Sequence, residues 1–214
     1  MQLKCNHVIP LPLKENLPKE SGVWNRELII EPSEKIFFNA PSGKGKSTFI
    51  HILYGLRKDF EGEVSWSGRS LKAQSESQWA AWRSKELSIV FQDLRLFEDL
   101  SLMENIRIKQ SLAPGSAGMG QAEEWLETLG MAHKKDQKAG LLSYGEKQRV
   151  AIVRALLQPF SWLLLDEPFS HLDENNIQKA ASLISGQIAA RNAGLIMVDL
   201  KDSPWFTFDK RLLL

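Results

Sequence analysis

An α/β fold with a mainly parallel sheet, covered by helices on both faces, is what this sequence predicts. Three observations carry that reading. The runs Trp162-Leu163-Leu164-Leu165 and Leu195-Ile196-Met197-Val198 are apolar at every position, as strands buried on both faces must be. The segments between such runs carry apolar residues at helical spacing. A glycine-rich stretch joins an apolar run ending at Phe38 to a helical pattern starting at Lys46.

Taken in order, residues 1–22 read as an irregular or edge-strand region, because Pro10, Pro12 and Pro18 limit regular pairing. Leu28-Ile29-Ile30 and Ile36-Phe37-Phe38 read as two strands around a turn at Glu31-Pro32-Ser33-Glu34. The helix from Lys46 should set Phe49, Ile50, Leu53 and Leu56 on one broad face. Ser88-Ile89-Val90-Phe91 is a further strand. The pattern from about 93 to 157 is mostly helical, broken by a loop at 113–118. After the strand at 162–165, a helix beyond Asp173 carries Ile177, Ala180, Ala181, Ile184 and Ile188 on one side. Gly194 is its expected left-handed stop.

The bulk composition narrows the function. The chain has 214 residues, 43% of them hydrophobic, enough for one full core with an inserted subdomain. Its 27 basic and 26 acidic side chains leave a net charge of +1, so no global field argues for nucleic acid. One cysteine, Cys5, excludes an internal disulfide framework and a cysteine-built zinc site. No apolar run reaches the roughly 20 residues that span a bilayer. Lys4, Asn6, Pro10, Pro12 and Lys14 break up Met1 to Leu17 too much for a signal peptide. A cytoplasmic location is expected, with any membrane part supplied by another chain.

The stretch Ala40-Pro41-Ser42-Gly43-Lys44-Gly45-Lys46-Ser47-Thr48 meets the needs of a triphosphate site. Glycines let backbone N–H groups close around phosphate, and the following helix N-terminus adds its positive dipole end. In this pattern Lys46 reaches the β and γ phosphates and the Ser47 hydroxyl ligates Mg²⁺. Ala40 replaces the first glycine, and because alanine resists positive φ, strain or opening is expected there. Lys44 either adds charge near phosphate or points into solvent. Asp166 and Glu167 follow four apolar residues at a strand's C-terminal end, where open α/β sheets bind ligands. Ser143-Tyr144-Gly145-Glu146 forms a capping box that opens a helix to Leu157.

Five segments, in order, resemble the ATP-binding subunit of an ATP-binding-cassette (ABC) transporter. They are the phosphate loop at 40–48, Gln92, Leu142-Ser143-Tyr144-Gly145-Glu146, Leu163-Leu164-Leu165-Asp166-Glu167-Pro168, and Ser170-His171-Leu172-Asp173. The resemblance covers nearly the whole chain. It implies a P-loop NTPase (RecA-like) core with an N-terminal antiparallel β subdomain, spanning 1–92 and 158–214, and an inserted α-helical subdomain over about 93–157. It implies ATP and Mg²⁺ as ligands. Ser42, Gly43, Lys44, Gly45, Lys46, Ser47 and Thr48 would hold the phosphates, and Ser143 and Gly145 would contact the nucleotide of a second copy or a paralogous subunit. Ser47, Gln92 and Asp166 would serve the metal; Glu167 would act as general base, with Gln92 and Lys46 also catalytic. The loop with Asp173 would run along the dimer interface.

Departures from the family pattern matter as much. Tyr144 replaces a glycine and Glu146 a glutamine in the signature segment. Leu200, or Asp199 with a one-residue slip, occupies the slot of the usual switch histidine. Losing one such contact to the γ-phosphate would raise the barrier by roughly 2.7–4 kcal/mol, by analogy with an oxyanion donor. Trp24 lies too close to Lys46 to stack on adenine and reads as a packing residue. Phe91-Gln92-Asp93-Leu94-Arg95-Leu96-Phe97 and Glu104-Asn105 look most like the lipoprotein-release, macrolide-export and cell-division branch. That branch implies a transmembrane permease partner at the inner face of the cell membrane, with 94–100 either beside its docking groove or on an ordinary amphipathic surface. The alternative is a weakly hydrolysing ATP-binding regulator or scaffold.

Overall fold

The structure, a computed structural model, describes residues 1–214. Its elements in chain order are β1 (Leu3–Pro10), β2 (Glu27–Ile30), β3 (Lys35–Asn39), α1 (Lys46–Leu53), β4 (Phe60–Trp66), β5 (Arg69–Ser70), α2 (Glu76–Lys85) and β6 (Leu87–Val90). There follow α3 (Leu102–Leu112), α4 (Met119–Thr128), α5 (Tyr144–Leu157), β7 (Trp162–Asp166), α6 (Glu174–Arg191), β8 (Gly194–Asp199) and β9 (Lys210–Leu213).

Side-chain alternation along the strands assigns each residue to one face of the main sheet. That sheet has the order β6-β7-β8-β3-β9, and every pairing in it is parallel. Phe37, Leu163, Leu165, Leu195 and Met197 enter one core with the helices α3 to α6. Their neighbours Ile36, Phe38, Leu164, Ile196 and Val198 enter a second core with α1 and the other sheet. Burial on both sides is the reason the runs at 162–165 and 195–198 are apolar throughout. The second sheet, β2-β1-β4-β5, is antiparallel.

Several elements differ from the sequence reading. β1 is an inner strand paired on both edges, not an irregular or edge region. The prolines begin only at its last residue, Pro10, so Leu3 to Ile9 keep every backbone donor. The two strands at 27–30 and 35–39 belong to different sheets. Leu56 lies beyond the end of α1 and is exposed. The left-handed stop of α6 is Asn192 (φ 49°), and Gly194 already opens β8. β4, β5, α2 and β9 carried no strong sequence signal. α2 buries only Trp79 and Trp82, too few to show a helical period.

Parallel pairing sends the C-terminal ends of β3, β6, β7 and β8 to one edge of the sheet. There they deliver the phosphate loop, Gln92, the pair Asp166 and Glu167, and Leu200, as expected for a ligand edge in an α/β fold.

Candidate functional site

The phosphate loop closes by left-handed turns at Gly43 (φ 76°) and Gly45 (φ 97°). A side chain at Gly45 is strained by its φ, and an added Cβ, 2.6 Å from Leu13 Cδ1, would also push that leucine aside. Ala40, expected to be strained, is not among the residues with positive φ, and its methyl is fully buried. Its carbonyl accepts a hydrogen bond from Lys46 Nζ at 2.8 Å. Alanine therefore fits without strain. The first turn of α1 has no side-chain cap, unlike α2, α3, α5 and α6. Its free N–H groups face a cleft of about 210 Å³ lined by Ser42, Gly43, Ser47, Thr48, Gln92 and Glu167.

One polar chain connects the candidate catalytic side chains. Ser47 Oγ donates to Gln92 Oε1 at 3.3 Å, and Gln92 Nε2 donates to Glu167 Oε2 at 3.4 Å. Glu167 Oε1 pairs with the buried Lys46 ammonium at 3.3 Å. Glu167 is itself left-handed (φ 48°), a costly conformation for a non-glycine residue. Its N–H donates to Val198 O at 3.0 Å and its carbonyl accepts from Gln148 Nε2 at 3.1 Å, which pins it on both sides.

Asp166, at the end of β7, is buried with neither carboxylate oxygen hydrogen-bonded. Burial pushes its carboxyl up to about 6. Two orphaned carboxylate oxygens beside the Ser47 hydroxyl and the Gln92 amide suit a hard divalent cation, which takes oxygen ligands. The donor set therefore fits Mg²⁺. Asp199 is also raised by burial.

Ser143 and Gly145 do not line this cleft. Ser143 caps α5: its Oγ accepts from the Glu146 N–H at 3.3 Å, and Glu146 Oε2 accepts from the Ser143 N–H at 2.9 Å. Glu146 is also paired with Lys134 at 2.6 Å, which holds its carboxyl below the usual range. Its charge is thus compensated within the chain. Gly145 sits against the 170–173 loop, where an added Cβ would meet His171 O at 2.6 Å. Asp173 caps α6 through the Asn176 N–H at 2.8 Å.

The Lys44 side chain is exposed and lies outside the cleft lining. Trp24 is buried edge-on against Phe49. Leu200 is 46% exposed and borders, with Glu167 and Asp199, a second cleft of about 420 Å³. Two contributors escaped the sequence reading. Gln148 is fully buried, and the polar run Glu146-Lys147-Gln148-Arg149 hid it. Leu13 reaches the loop only through tertiary packing.

The chain is similar to known proteins over most of its length. A family model described as ABC transporter matches residues 24–170. A "Lipoprotein-releasing system ATP-binding protein LolD" of Psychrobacter arcticus is 34% identical, over 88% of this chain and 84% of that protein. The protein of the same description from Coxiella burnetii is 32% identical, over 80% of this chain and 75% of its own length. Among solved structures, the dimeric form of MJ0796, a bacterial ABC transporter cassette, superposes with a TM-score of 0.79 at 26% identity. It covers 94% of this chain and 88% of that one. A post-hydrolysis dimer of MJ0796 bound to ADP and Pi superposes with a TM-score of 0.76, also at 26% identity, over 93% of this chain and 88% of its own.

Proposed function

This chain belongs to the ABC transporter family, and from that premise we propose that it is the ATP-hydrolysing subunit of a membrane complex, working as a head-to-tail dimer on two Mg-ATP. The observation that carries the dimer is the position of Ser143. This serine heads α5 and does not line the chain's own phosphate cleft, and on our reading the anion its helix start suits belongs to another protomer. The second protomer is another copy of this chain or a paralogue.

The roles follow from the contacts. Backbone N–H groups from Gly43 to Thr48 and the start of α1 take the phosphates, with Ser42 at the rim. Lys46 gives up Glu167 for the β and γ phosphates, which leaves the glutamate free to polarise the attacking water. Asp166, Ser47 and Gln92 would hold Mg²⁺. When bound, the ion supplies charge neutralisation at the β and γ oxygens. Residues of about 93–157 form the helical unit that carries Ser143 and Gly145 to the partner's nucleotide. Leu200 offers no donor where the family has a histidine, so we expect slow turnover. This feature also favours the second reading, a weakly hydrolysing regulator of the same complex. Turnover of the purified complex at rates of order 1 per second or more would exclude it.

The membrane partner is proposed to be a transmembrane permease of lipoprotein-release, efflux or cell-division type, holding this chain at the cytoplasmic face of the cell membrane. No helix is long and apolar enough to cross a membrane. A groove of about 220 Å³ supports docking near 94–100: Phe97 (55% exposed) and Leu112 (68% exposed) flank it. Arg95, Lys109 and Arg154 line it without any carboxylate. Burial pushes Lys109 down to about 8 and Arg154 down to about 10, so the groove suits a helix that brings negative charge. Lys109→Glu is expected to cut recovery of the membrane partner with this chain, from detergent-solubilised membranes, by about tenfold or more. Unchanged recovery would place docking elsewhere.

The dimer itself is tested by light scattering on Glu167→Gln with Mg-ATP. A species of twice the protomer mass that dissociates on nucleotide removal is the expected result. A monomer at saturating Mg-ATP would falsify the head-to-tail reading.

A further inference from the structure

Tyr144 occupies a signature position where the family has glycine, and its side chain is not idle. The phenol O–H donates to the Gln92 carbonyl at 2.6 Å, across 52 positions of sequence. Its ring lies on the His171 imidazole, centroid to centroid 4.1 Å. One turn further along the same face of α5, the buried Gln148 holds the Glu167 carbonyl and accepts from the His171 N–H at 3.2 Å. About three turns along α5 from Tyr144, the Arg154 guanidinium donates to the carbonyls of Leu94 and Arg95. Both of those residues are left-handed, at φ 59° and 50°. Helix α5 thus grips the segment 92–95 at two points and the end of β7 at a third.

The Gln92 side chain senses the cleft while its carbonyl is held by Tyr144. Both side-chain bonds of Gln92 are long, at 3.3 and 3.4 Å, and join it to Ser47 and Glu167. A nucleotide entering the cleft competes for both of these partners. Any resulting shift of the Gln92 backbone pulls on the phenol. Tyr144 is covalently next to Ser143, the residue proposed above to serve the nucleotide of the second protomer. A glycine here would leave the signature segment free of Gln92.

We propose that Tyr144 is a positioning residue that ties the signature serine to the Gln92 loop of its own chain, so that nucleotide in one site sets the geometry of the other. The inference rests on the head-to-tail reading. It assigns to Tyr144 no contact with the reacting atoms.

Tyr144→Phe keeps the ring against His171 and deletes only the donor. The full chain is assayed for ATP turnover across ATP concentration, beside ATP binding at protein concentrations too low for dimers. The wild-type chain is expected to show a Hill coefficient approaching the number of sites, about 2. Tyr144→Phe is expected to bring it toward 1 with the affinity of the single protomer unchanged. Tyr144→Gly, which removes ring and hydroxyl together, should lose cooperativity to the same extent. A variant with lower turnover but the wild-type Hill coefficient shows a merely structural tyrosine and overturns the proposal, as does a wild-type chain without cooperativity. Light scattering on Glu167→Gln separates the two failures. If that variant dimerises on Mg-ATP, the loss concerns Tyr144 alone; if it stays monomeric, the head-to-tail reading falls and takes this inference with it.

Discussion

Steady-state ATP turnover by Glu167→Gln is expected to fall by about 10²–10⁴-fold, the usual worth of a positioned general base. Glu167 is the one carboxylate that lines the phosphate cleft. Glutamine keeps its shape and an oxygen for Gln92 Nε2, but it cannot take a proton from water. Binding responds differently. In the wild-type chain Lys46 is paired with Glu167 at 3.3 Å, and phosphate must displace that pair. Without the negative charge, Lys46 still donates to the carbonyls of Ala40 and Pro41 and stays buried in place. Nucleotide affinity should therefore hold or rise while turnover collapses. Phosphate release and equilibrium binding, measured on the same preparation, separate the two effects. Wild-type turnover in the variant would remove Glu167 from the role of base.

Asp166→Asn is expected to act in opposite directions on stability and on function. With chelator present, Asp166 is a buried carboxyl whose oxygens make no direct hydrogen bond, and burial raises it from 3.8 to about 6, with the nearby Ser47 hydroxyl, which donates to Gln92, working weakly the other way. A raised carboxyl means that the folded chain holds its proton more tightly than the unfolded one. Below about pH 4 both states are protonated and nothing is lost. Between about 4 and 6 the unfolded state ionises first, and the folded state loses relative stability as pH rises. Above about 6 the loss is complete, of order 3 kcal/mol for a shift near two units. Asparagine removes that ionisation. Its thermal midpoint at pH 8 should exceed the wild type by several degrees, with the difference closing toward pH 4. The same change deletes a proposed metal ligand, so Mg²⁺ should no longer add to the stabilisation given by ATP. An asparagine variant less stable than wild type at pH 8, in chelator, would show that the carboxylate has a partner after all.

The site was legible in the sequence to an uneven degree, for a physical reason in each case. The phosphate loop, the strand-end pair Asp166 and Glu167, and the helix start at Ser143 are local features. Each is written in consecutive residues, because tight turns, strand ends and caps depend on near neighbours. The contacts that join them are not local. Gln92 touches Ser47 and Glu167 only because β6 lies beside β7 and the β3 end faces them across the sheet edge. The grip of α5 on the loop at 92–95 was invisible for the same reason. Tyr144 read as added bulk in the sequence; in the structure it is a hydrogen-bond donor to Gln92.

The sequence by itself determined the fold class and the family, and it marked the glycine-rich loop proposed to take phosphate. These follow from apolar runs, helical spacing and ordered motifs, which depend on residue type and order alone. It misjudged β1, Ala40 and the end of α6. Whether a strand is inner, whether an alanine is strained and which residue turns left-handed are settled by what packs against them. Only the tertiary structure decided that Glu146 is neutralised by Lys134, that Lys46 rests on Glu167, and that Ser143 lies outside the lining of its own cleft. Each of these is a relation between residues far apart in the chain, set by the register of a parallel sheet whose crossovers no local pattern encodes.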